Sequence, residues 1–563
     1  MIKSLTKKDI FLSLYFGIIT FMLSFFAMSC RMLEKDGDII WNRAQTLTTC
    51  GISFAIGIVA SFMTVFILYR ISKANGKKSE VKCEIKEKGM AVINATEGKL
   101  PKWIWLGLAA ILVCWLPAFL AFYPGLCNYD AEGYFFQFVY GPYNNHHPIC
   151  YTLIIKLFYD WGKNVFGSYY VGIALFTITQ MLLLAMSVFY FICTVYRFFP
   201  KKRLFIILTA VFALYPMNGY MAVTMTKDIF FAAGMICSFA AFARIMLKSD
   251  NVWKPSIHDF VNLTGLIFVI LFRSNGRYCV VAVIMMELLF LIFYKMRRKT
   301  VGRIIVFSVA ALFLGMLMLK VIDKATNAQA VDKREMLSVP GQQIARVVHF
   351  HEEELDEATM EQITAVIWPS SLYLYNQRTA RFVKQDIISY EVKNHPKKYI
   401  NLYISLFKDY PGDYLNAVLG MYSGFLSPFD RSHVLINEED GVLKDGFHYI
   451  QTAFTVTERF NISQKPVSEF LYKAYTGYAN SDGYLAIPVI SLLFVPGTFL
   501  WIWLYSLGIL IYQKKYGMIL PYVLVFTYYL TFFLGPTVQL RYIYPIILCT
   551  PGLILLTLYK RTK

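Results

Sequence analysis

Long apolar segments separated by shorter polar loops run through most of the 563-residue chain. Several of these segments reach the length of about 20 residues that an α-helix needs to cross a bilayer. The pattern predicts about twelve transmembrane helices, at residues 10–29, 51–69, 103–122, 169–193, 204–218, 229–243, 260–272, 278–294, 304–322, 485–511, 517–535 and 541–558. The three segments that begin near residues 204, 229 and 260 are short, so we expect some of them to be tilted or broken. The predicted fold class is an all-α polytopic membrane protein.

Composition supports this fold class. Hydrophobic residues make up 57% of the chain and charged residues 16%, whereas a soluble domain carries about 25% charged residues. The first apolar segment begins near residue 10 and continues into FAMSCRMLEKDGD. Since this continuation lacks the small-residue cleavage site of a signal peptide, we interpret the segment as a retained helix.

The basic charge of the chain is unevenly distributed. The formal net charge is +19, but residues 323–484 hold 16 basic and 21 acidic residues, and the remainder holds 39 basic and 15 acidic residues. The excess basic residues lie mostly in short loops between apolar segments. This is the positive-inside pattern of membrane proteins, and it argues against a nucleic-acid partner. It predicts a multi-pass protein of the cell membrane with both termini in the cytoplasm.

The order of apolar and polar stretches predicts four regions. Residues 1–102 form an N-terminal two-helix hairpin and a basic cytoplasmic loop. Residues 103–322 form a transmembrane core that includes a long outer loop, 123–168. Residues 323–484 form a mainly α-helical extracytoplasmic domain, and residues 485–563 form the C-terminal transmembrane helices.

The first part of the outer loop, YPGLCNYDAEGYFFQFVYGPYNNHHPIC at residues 123–150, concentrates polar side chains among aromatic ones. These side chains are Asp130, Glu132, Gln137, His146 and His147. Ionisable groups at a membrane boundary cost free energy unless they are paired or used, so the loop is the first candidate for a functional site. Whether Cys127 and Cys150 form a disulfide is left open by their spacing.

Further polar residues are predicted on the same side of the membrane. They are Lys227, Asp228, Arg273, Arg277, Gln539, Arg541 and Tyr542. A carboxylate can take a proton from an incoming hydroxyl group. Cations can stabilise the charge that develops on a departing phosphate. Such a set suits group transfer from a lipid that carries a phosphate.

Four short motifs carry a resemblance to a known superfamily. They are NYDAEGY around Asp130, NNHHP before residue 149, TKD ending at Asp228, and SVPGQQIAR ending at Arg346. They resemble the GT-C superfamily of membrane glycosyltransferases, which includes protein O-mannosyltransferases and aminoarabinose transferases, and more closely an uncharacterised bacterial GT-C-like family. The resemblance covers about residues 103–350 and the last helix. Unlike the best-known members, this chain places the loop after its third apolar segment, and its 323–484 block matches none of their accessory domains.

The resemblance implies an inverting glycosyltransferase that acts outside the cell membrane. It would move a sugar from a polyprenyl-phosphate donor to a glycan, lipid or protein acceptor, with Asp130 as the general base. Further catalytic candidates are Glu132, His147 and Asp228. Candidates for binding the lipid phosphate are Lys227, Arg273, Arg277, Arg346 and Arg541. Candidates for binding substrate are Gln137, His146, Gln342, Gln343 and Tyr542. No metal site and no cofactor is expected, although a divalent cation is left open.

Simpler interpretations stand beside these roles. Asp130 could cap a helix, and the two arginines of FRSNGRY could extend their side chains to the membrane interface. His349 and His351, with the glutamates that follow them, fit a solvated acidic helix start better than a metal site. A transporter or flippase of lipid-linked saccharides is the main alternative function, with Glu287 as the clear ionisable residue inside a predicted span. A non-catalytic cell-envelope assembly protein is the third.

Overall fold

The computed structural model describes residues 6–36, 39, 42–76, 99–127, 129–247, 251–330, 333–430, 435–437, 442–444, 460, 462, 465–480 and 487–558. The α-helices are α1 (Lys7–Asp36), α2 (Arg43–Gly76), α3 (Trp105–Ala121), α4 (Tyr129–Val139), α5 (Ile149–Phe166), α6 (Tyr169–Phe198), α7 (Lys202–Leu214), α8 (Pro216–Val223), α9 (Lys227–Leu247), α10 (Ile257–Phe272), α11 (Gly276–Phe293), α12 (Arg298–Thr326), α13 (Ser338–His351), α14 (Glu357–Thr364), α15 (Pro369–Tyr373), α16 (Arg381–Gln385), α17 (Ser389–Asn394), α18 (Pro396–Asp409), α19 (Pro411–Leu426), α20 (Glu469–Asn480), α21 (Pro488–Ser491), α22 (Pro496–Tyr512), α23 (Ile519–Leu530) and α24 (Tyr544–Leu558). The strands are β1 (Leu126–Cys127), β2 (Thr224–Met225), β3 (Leu435–Asn437) and β4 (Val442–Lys444). Short 3₁₀ turns lie at Lys102–Ile104, Lys295–Arg297, Lys333–Leu337, Glu352–Glu354, Tyr516–Met518, Thr531–Leu534 and Leu540–Ile543.

Among the described residues, nine helical segments are long and apolar enough to cross a membrane. They are α1, α2, α3, α6, α9, α11, α12, the segment Tyr516–Leu534 that contains α23, and the segment Leu540–Leu558 that contains α24. α10 and α22 are shorter apolar helices, and α7 with α8 forms a pair bent by 57°. The bend coincides with Pro216, the first residue of α8, because proline lacks the N–H that would continue the helix. The prediction of an all-α polytopic membrane protein is confirmed.

Helix α9 lies at the centre of the bundle, and α1 and α2 pair at its periphery. The most apolar window of α9 is 89% buried, against 11% for that of α2. α9 crosses α10 closely at Gly234 and Gly265, where a Cβ added to Gly234 would lie 2.6 Å from the Gly265 carbonyl oxygen. Small residues allow this backbone approach. The crossing places the start of α9 and the end of α10 at one end of the bundle, which we call the loop end.

A two-residue parallel strand pair joins two distant parts of the sequence at the loop end. Leu126 of β1 pairs with Thr224 of β2, and Cys127 pairs with Met225. Each strand is buried and is followed, three residues after its end, by an aspartate in the first turn of a helix: Asp130 in α4 and Asp228 in α9. The strand pair therefore brings the two carboxylates to the same place.

Residues 338–414, which we call the peripheral unit, build a second hydrophobic core from α13 to the first turn of α19. The described residues of the predicted domain 323–484 are mainly helical. α12 continues to Thr326, and Met421 and Tyr422 of α19 belong to the main core. α20 packs against α3. The described helices of this block therefore alternate between local packing and packing against the bundle.

Candidate functional site

Five charged side chains meet at the loop end and form what we call the ion cluster: Asp130, Lys227, Asp228, Arg273 and Arg541. Arg541 Nη1 lies 2.7 Å from Asp130 Oδ2, and Lys227 Nζ lies 3.4 Å from the same oxygen. Arg273 Nε lies 2.6 Å from Asp228 Oδ1. Arg541 Nε lies 4.0 Å from Asp228 Oδ2, so Arg541 links the two carboxylates.

Separate parts of the chain supply these side chains. The two aspartates occupy first turns of helices, where the helix dipole favours negative charge. Arg273 caps the end of α10, and Arg541 lies in the 3₁₀ turn that precedes α24. Within the described residues, the hydrogen bonds to the Asp130 carboxylate come from Arg541 and Lys227. They do not come from backbone N–H groups of α4, so the geometry differs from that of a helix cap.

The cluster is buried. Asp130 is 9% exposed and Asp228 is 1% exposed. Among the described residues, three cations face these two carboxylates. Burial alone would raise the pKa of the Asp130 carboxyl, but Arg541 and Lys227 hold that pKa well below its ordinary value. Asp130 is therefore ionised, and the cations around it are of the kind that also bind an anion such as a phosphate.

His147 extends the cluster on the side of Lys227. Its Nδ1 atom lies 2.7 Å from Lys227 Nζ. Because an ammonium group only donates, the imidazole accepts and is neutral. Burial and the adjacent Lys227 charge lower the pKa of His147 well below its ordinary value. The ring of Tyr134 packs edge-on against His147, with 5.1 Å between ring centroids.

Aromatic rings enclose Arg273 on the other side of the cluster. Its guanidinium carbon lies 4.7 Å from the ring centroid of Tyr542, 5.5 Å from that of Tyr528 and 5.8 Å from that of Phe231. Arg273 Nη1 donates to Tyr528 Oη at 2.5 Å, and that hydroxyl donates to the Tyr542 carbonyl at 2.9 Å. Aromatic faces stabilise the guanidinium without neutralising its charge.

The structure brings together seven of the residues that the sequence singled out. They are Asp130, His147, Lys227, Asp228, Arg273, Arg541 and Tyr542. Three others lie close by with different surroundings. Glu132 is half-buried and, two positions from Asp130 on α4, points to another side of the helix. Gln137 accepts from the backbone N–H of Asn144 at 3.3 Å and so holds the loop. His146 is exposed, with its ring 4.6 Å from that of His147.

Four predicted site residues need correction. Arg277 is exposed and donates to the Tyr278 hydroxyl. Arg346 is an internal residue of the peripheral unit, with Nε 3.0 Å from Asp413 Oδ1. Gln342 and Gln343 are also buried there, and they donate to the carbonyl oxygens of Asn376 and Tyr414 respectively. α13 buries these polar side chains in a local core, so their partners lie outside the ion cluster.

The described residues contain no group of three or more His, Cys, Asp or Glu side chains arranged to hold a metal ion. His351 instead bonds to Glu354 and Asp413, each at 3.1 Å. Cys127 and Cys150 are both free thiols. Two tyrosines of the site were missed in the sequence. The sequence could have indicated Tyr134, since it lies four residues after Asp130 on the same helix face. It gave no such indication for Tyr528, which resembles any aromatic residue near the end of a transmembrane segment.

Comparison with known proteins gives one match. A family described as a family of unknown function, DUF6020, matches residues 141–563, about three-quarters of the chain. The matched region contains four of the five cluster residues and begins after Asp130. No curated protein and no solved structure matches the chain.

Proposed function

Because the chain belongs to the DUF6020 family, whose function is unknown, we propose a function from the ion cluster itself. The protein is a membrane glycosyltransferase that moves a sugar from a polyprenyl-phosphate donor to a hydroxyl group of an acceptor at the outer face of the cell membrane. One observation carries the proposal: the buried Asp130 carboxylate accepts its hydrogen bonds from two cations, Arg541 and Lys227, that can also bind a phosphate. The resemblance of the surrounding motifs to GT-C enzymes supports the same assignment.

The position of the cluster suits a lipid phosphate. The cluster lies at the ends of apolar helices, the depth at which a lipid headgroup meets the hydrocarbon core, so an apolar tail could remain in the bilayer. Arg273 and Arg541 offer planar guanidinium groups that match phosphate oxygens in pairs, and Lys227 adds a compact charge.

The reaction is a single displacement. The acceptor hydroxyl oxygen forms a bond to the anomeric carbon of the sugar while the bond from that carbon to the phosphate oxygen breaks. The electron pair of the broken bond stays with the phosphate, where Arg541, Arg273 and Lys227 stabilise it. The hydroxyl proton passes to Asp130. One displacement at the anomeric carbon inverts its configuration.

Donor binding also prepares Asp130 as a base. In the free protein, its cationic partners hold the pKa of Asp130 well below its ordinary value, which weakens the carboxylate as a base. A bound phosphate draws hydrogen bonds of Arg541 and Lys227 away from the carboxylate, and the pKa of Asp130 rises toward its ordinary value. Neutral His147 keeps Lys227 in place, and Asp228 orients Arg273. Proton acceptance is thereby coupled to the presence of the donor.

The test compares the purified full-length protein with its Asp130→Asn variant in detergent, with Asp160→Asn as the matched control. Asp160 is a half-buried partner of Lys156 on α5. We expect polyprenyl phosphate to raise the melting temperature of all three proteins. Wild type and Asp160→Asn should transfer sugar from a panel of polyprenyl-phosphate sugars, and Asp130→Asn should not. A lipid that shifts none of the proteins, or an Asp130→Asn variant that fails to fold, would contradict the proposal.

The flippase alternative rests on Glu287. This residue lies fully buried inside α11 and accepts from Ser308 Oγ of α12 at 2.8 Å. Ionisable residues within membrane spans mark ion and substrate pathways in many transporters. The concentration of charge at the loop end favours the transferase, and a Glu287 variant separates the two functions.

A further inference from the structure

A cavity of about 330 Å³ opens beside the peripheral unit. Its lining residues are Leu33, His349, Tyr375, Asn376, Gln377 and Arg378. The volume falls at the lower end of the range of about 300–1,000 Å³ that small-molecule sites occupy. Five of its six lining side chains carry polar groups.

Several of these polar groups are available to a ligand. Within the part of the chain that the structure describes, the imidazole nitrogens of His349, the Nδ2 atom of Asn376 and the side-chain amide of Gln377 make no hydrogen bond. These three side chains together offer both donors and acceptors. The ring of Tyr375, 5.2 Å from that of His349, adds an apolar face.

Hydrogen bonds fix the lining residues of the cavity in position. Arg346 Nη1 donates to the Tyr375 hydroxyl at 3.2 Å. The Asn376 carbonyl accepts from Gln342 Nε2 at 2.6 Å, and Asn376 Oδ1 accepts from the backbone N–H of Arg378 at 2.9 Å. A binding site whose side chains are fixed by surrounding hydrogen bonds spends less free energy on ordering when a ligand arrives. Arg346 and Gln342, which lie outside the ion cluster, therefore hold two lining residues of the cavity in position.

The charge of the cavity argues for a neutral ligand. Its one fixed cation, Arg378, is matched by Asp430, whose two carboxylate oxygens lie 3.0 and 3.2 Å from Arg378 Nη1. The ion cluster, in contrast, presents three cationic side chains among its described residues. A ring face together with amide and imidazole groups and no excess charge suits a polyhydroxylated ligand such as a sugar unit.

The cavity is linked to the ion cluster through the backbone. The backbone N–H of Ala380 donates to the Pro536 carbonyl at 2.8 Å, and Thr379 pairs with Thr537. The segment that contains Pro536 leads directly into the 3₁₀ turn of Arg541. The turn that lines the cavity and the segment that carries a cluster cation are therefore joined by hydrogen bonds.

We propose that this cavity binds a sugar unit of a neutral glycan and serves as the acceptor subsite of the enzyme. Its acceptor role rests on the proposed transferase function, whereas sugar binding itself does not. The glycan would lie along the peripheral unit, and a hydroxyl group beyond the bound unit would reach Asp130. The acceptor is therefore a glycan, and not a lipid or an unglycosylated protein side chain.

The experiment measures sugar binding without any donor, by saturation-transfer NMR on the full-length protein in detergent. The probes are cellobiose, maltose and diacetylchitobiose, with inorganic phosphate as the anionic competitor. The cavity variants are His349→Ala and Gln377→Ala. Their matched controls are His395→Ala and Gln385→Ala, two exposed residues of the peripheral unit. We expect at least one sugar to bind wild type and both controls, and the cavity variants to bind it about five- to tenfold more weakly.

The Asp130→Asn variant separates this inference from the proposed function. It should bind the sugar like wild type, because Asp130 does not line the cavity. Sugar binding by a wild-type protein that transfers no sugar from any donor of the panel would retain the site and reject the transferase. Binding to none of the three sugars, equal loss in the control variants, or displacement of the sugar by phosphate would overturn the inference.

Discussion

Helix α10 carries an ion pair at each end, and the two ends are built differently. At its start, Arg303 Nε lies 2.9 Å from Asp259 Oδ1, and the other Asp259 oxygen accepts from Ser256 in a capping box. Arg303 Nη1 donates to the carbonyls of Val252 and Lys254. One cation meets one carboxylate there, and the hydrogen bonds of the pair go to the protein itself.

At its other end, α10 delivers Arg273 into the ion cluster. Three cations share two carboxylates there, and aromatic rings take the place of further anions around Arg273. Both regions are buried, so burial does not distinguish them. Composition does: the Asp259 pair joins one cation and one carboxylate at a helix start, whereas in the described part of the cluster three cations from separate elements surround two carboxylates. Several cations held together beside a carboxylate suit a phosphate ligand.

The largest effect is expected from breaking the complete pair. Arg303→Gln leaves the buried Asp259 carboxylate without its cation, which costs about 3–5 kcal/mol of stability. Transfer activity, measured at a temperature at which the variant is still folded, should stay near that of wild type. Thermal unfolding together with turnover tests both statements. A stable variant with lost activity would assign Asp259 and Arg303 to function.

The corresponding substitution in the ion cluster should reduce activity strongly and stability only slightly. Arg541→Gln removes the cation that links the two carboxylates, and we expect kcat/KM for a polyprenyl-phosphate sugar to fall by about 10²–10³. The melting temperature should change much less than in Arg303→Gln. Arg203→Gln, an exposed arginine at the opposite end of the bundle, is the control. Activity of Arg541→Gln within threefold of wild type would remove this residue from the mechanism.

Two neighbouring arginines sharpen the comparison further. Arg273 bonds to Asp228 and Tyr528 and lies against the ring of Tyr542, whereas Arg277 is exposed. Lysine cannot reproduce a planar guanidinium that bonds and stacks at the same time. We expect Arg273→Lys to weaken polyprenyl-phosphate binding about tenfold and Arg277→Lys to leave it unchanged, as measured by titrated thermal shifts. Equal weakening of polyprenyl-phosphate binding in both variants would show that Arg277 also belongs to the binding site.

These arginines also show how far sequence reasoning reaches. Hydrophobic segments predicted the helices because the bilayer imposes their length. The shortness of the segment near residue 204 predicted a tilted or broken helix, and α7 and α8 are bent there. The short motifs placed Asp130 and Asp228 correctly near helix starts. The sequence FRSNGRY gives no reason to distinguish its two arginines, however. In the structure, the turn into α11 leaves Arg273 in the ion cluster and Arg277 exposed. Arg541 lies 411 residues from Asp130, so their contact depends on packing that no local pattern encodes.

A smaller effect should appear as pH dependence. Folded His147 stays neutral because its pKa is well below the ordinary value, but in the unfolded chain it takes up a proton below about pH 6.5. The unfolded state then binds more protons, so stability falls by up to about 1.4 kcal/mol per pH unit as the pH drops below that value. Melting temperatures between pH 7.5 and 5.5 should decline less steeply in His147→Gln than in wild type. Parallel declines would mean that His147 is charged in the folded protein.

The smallest effect is expected at Glu287, and it decides between the two candidate functions. Glutamine keeps the shape of the side chain and an oxygen that can accept from Ser308, so Glu287→Gln should change stability by less than about 1 kcal/mol. Glu287 lies inside α11, away from the charged end where we place the reaction, and sugar transfer should therefore proceed at the wild-type rate. A flippase that uses this carboxyl to carry protons through the bundle would lose transport completely in the same variant. Assaying transfer in detergent and lipid-saccharide translocation in vesicles separates these outcomes, because detergent abolishes translocation while leaving the ion cluster accessible.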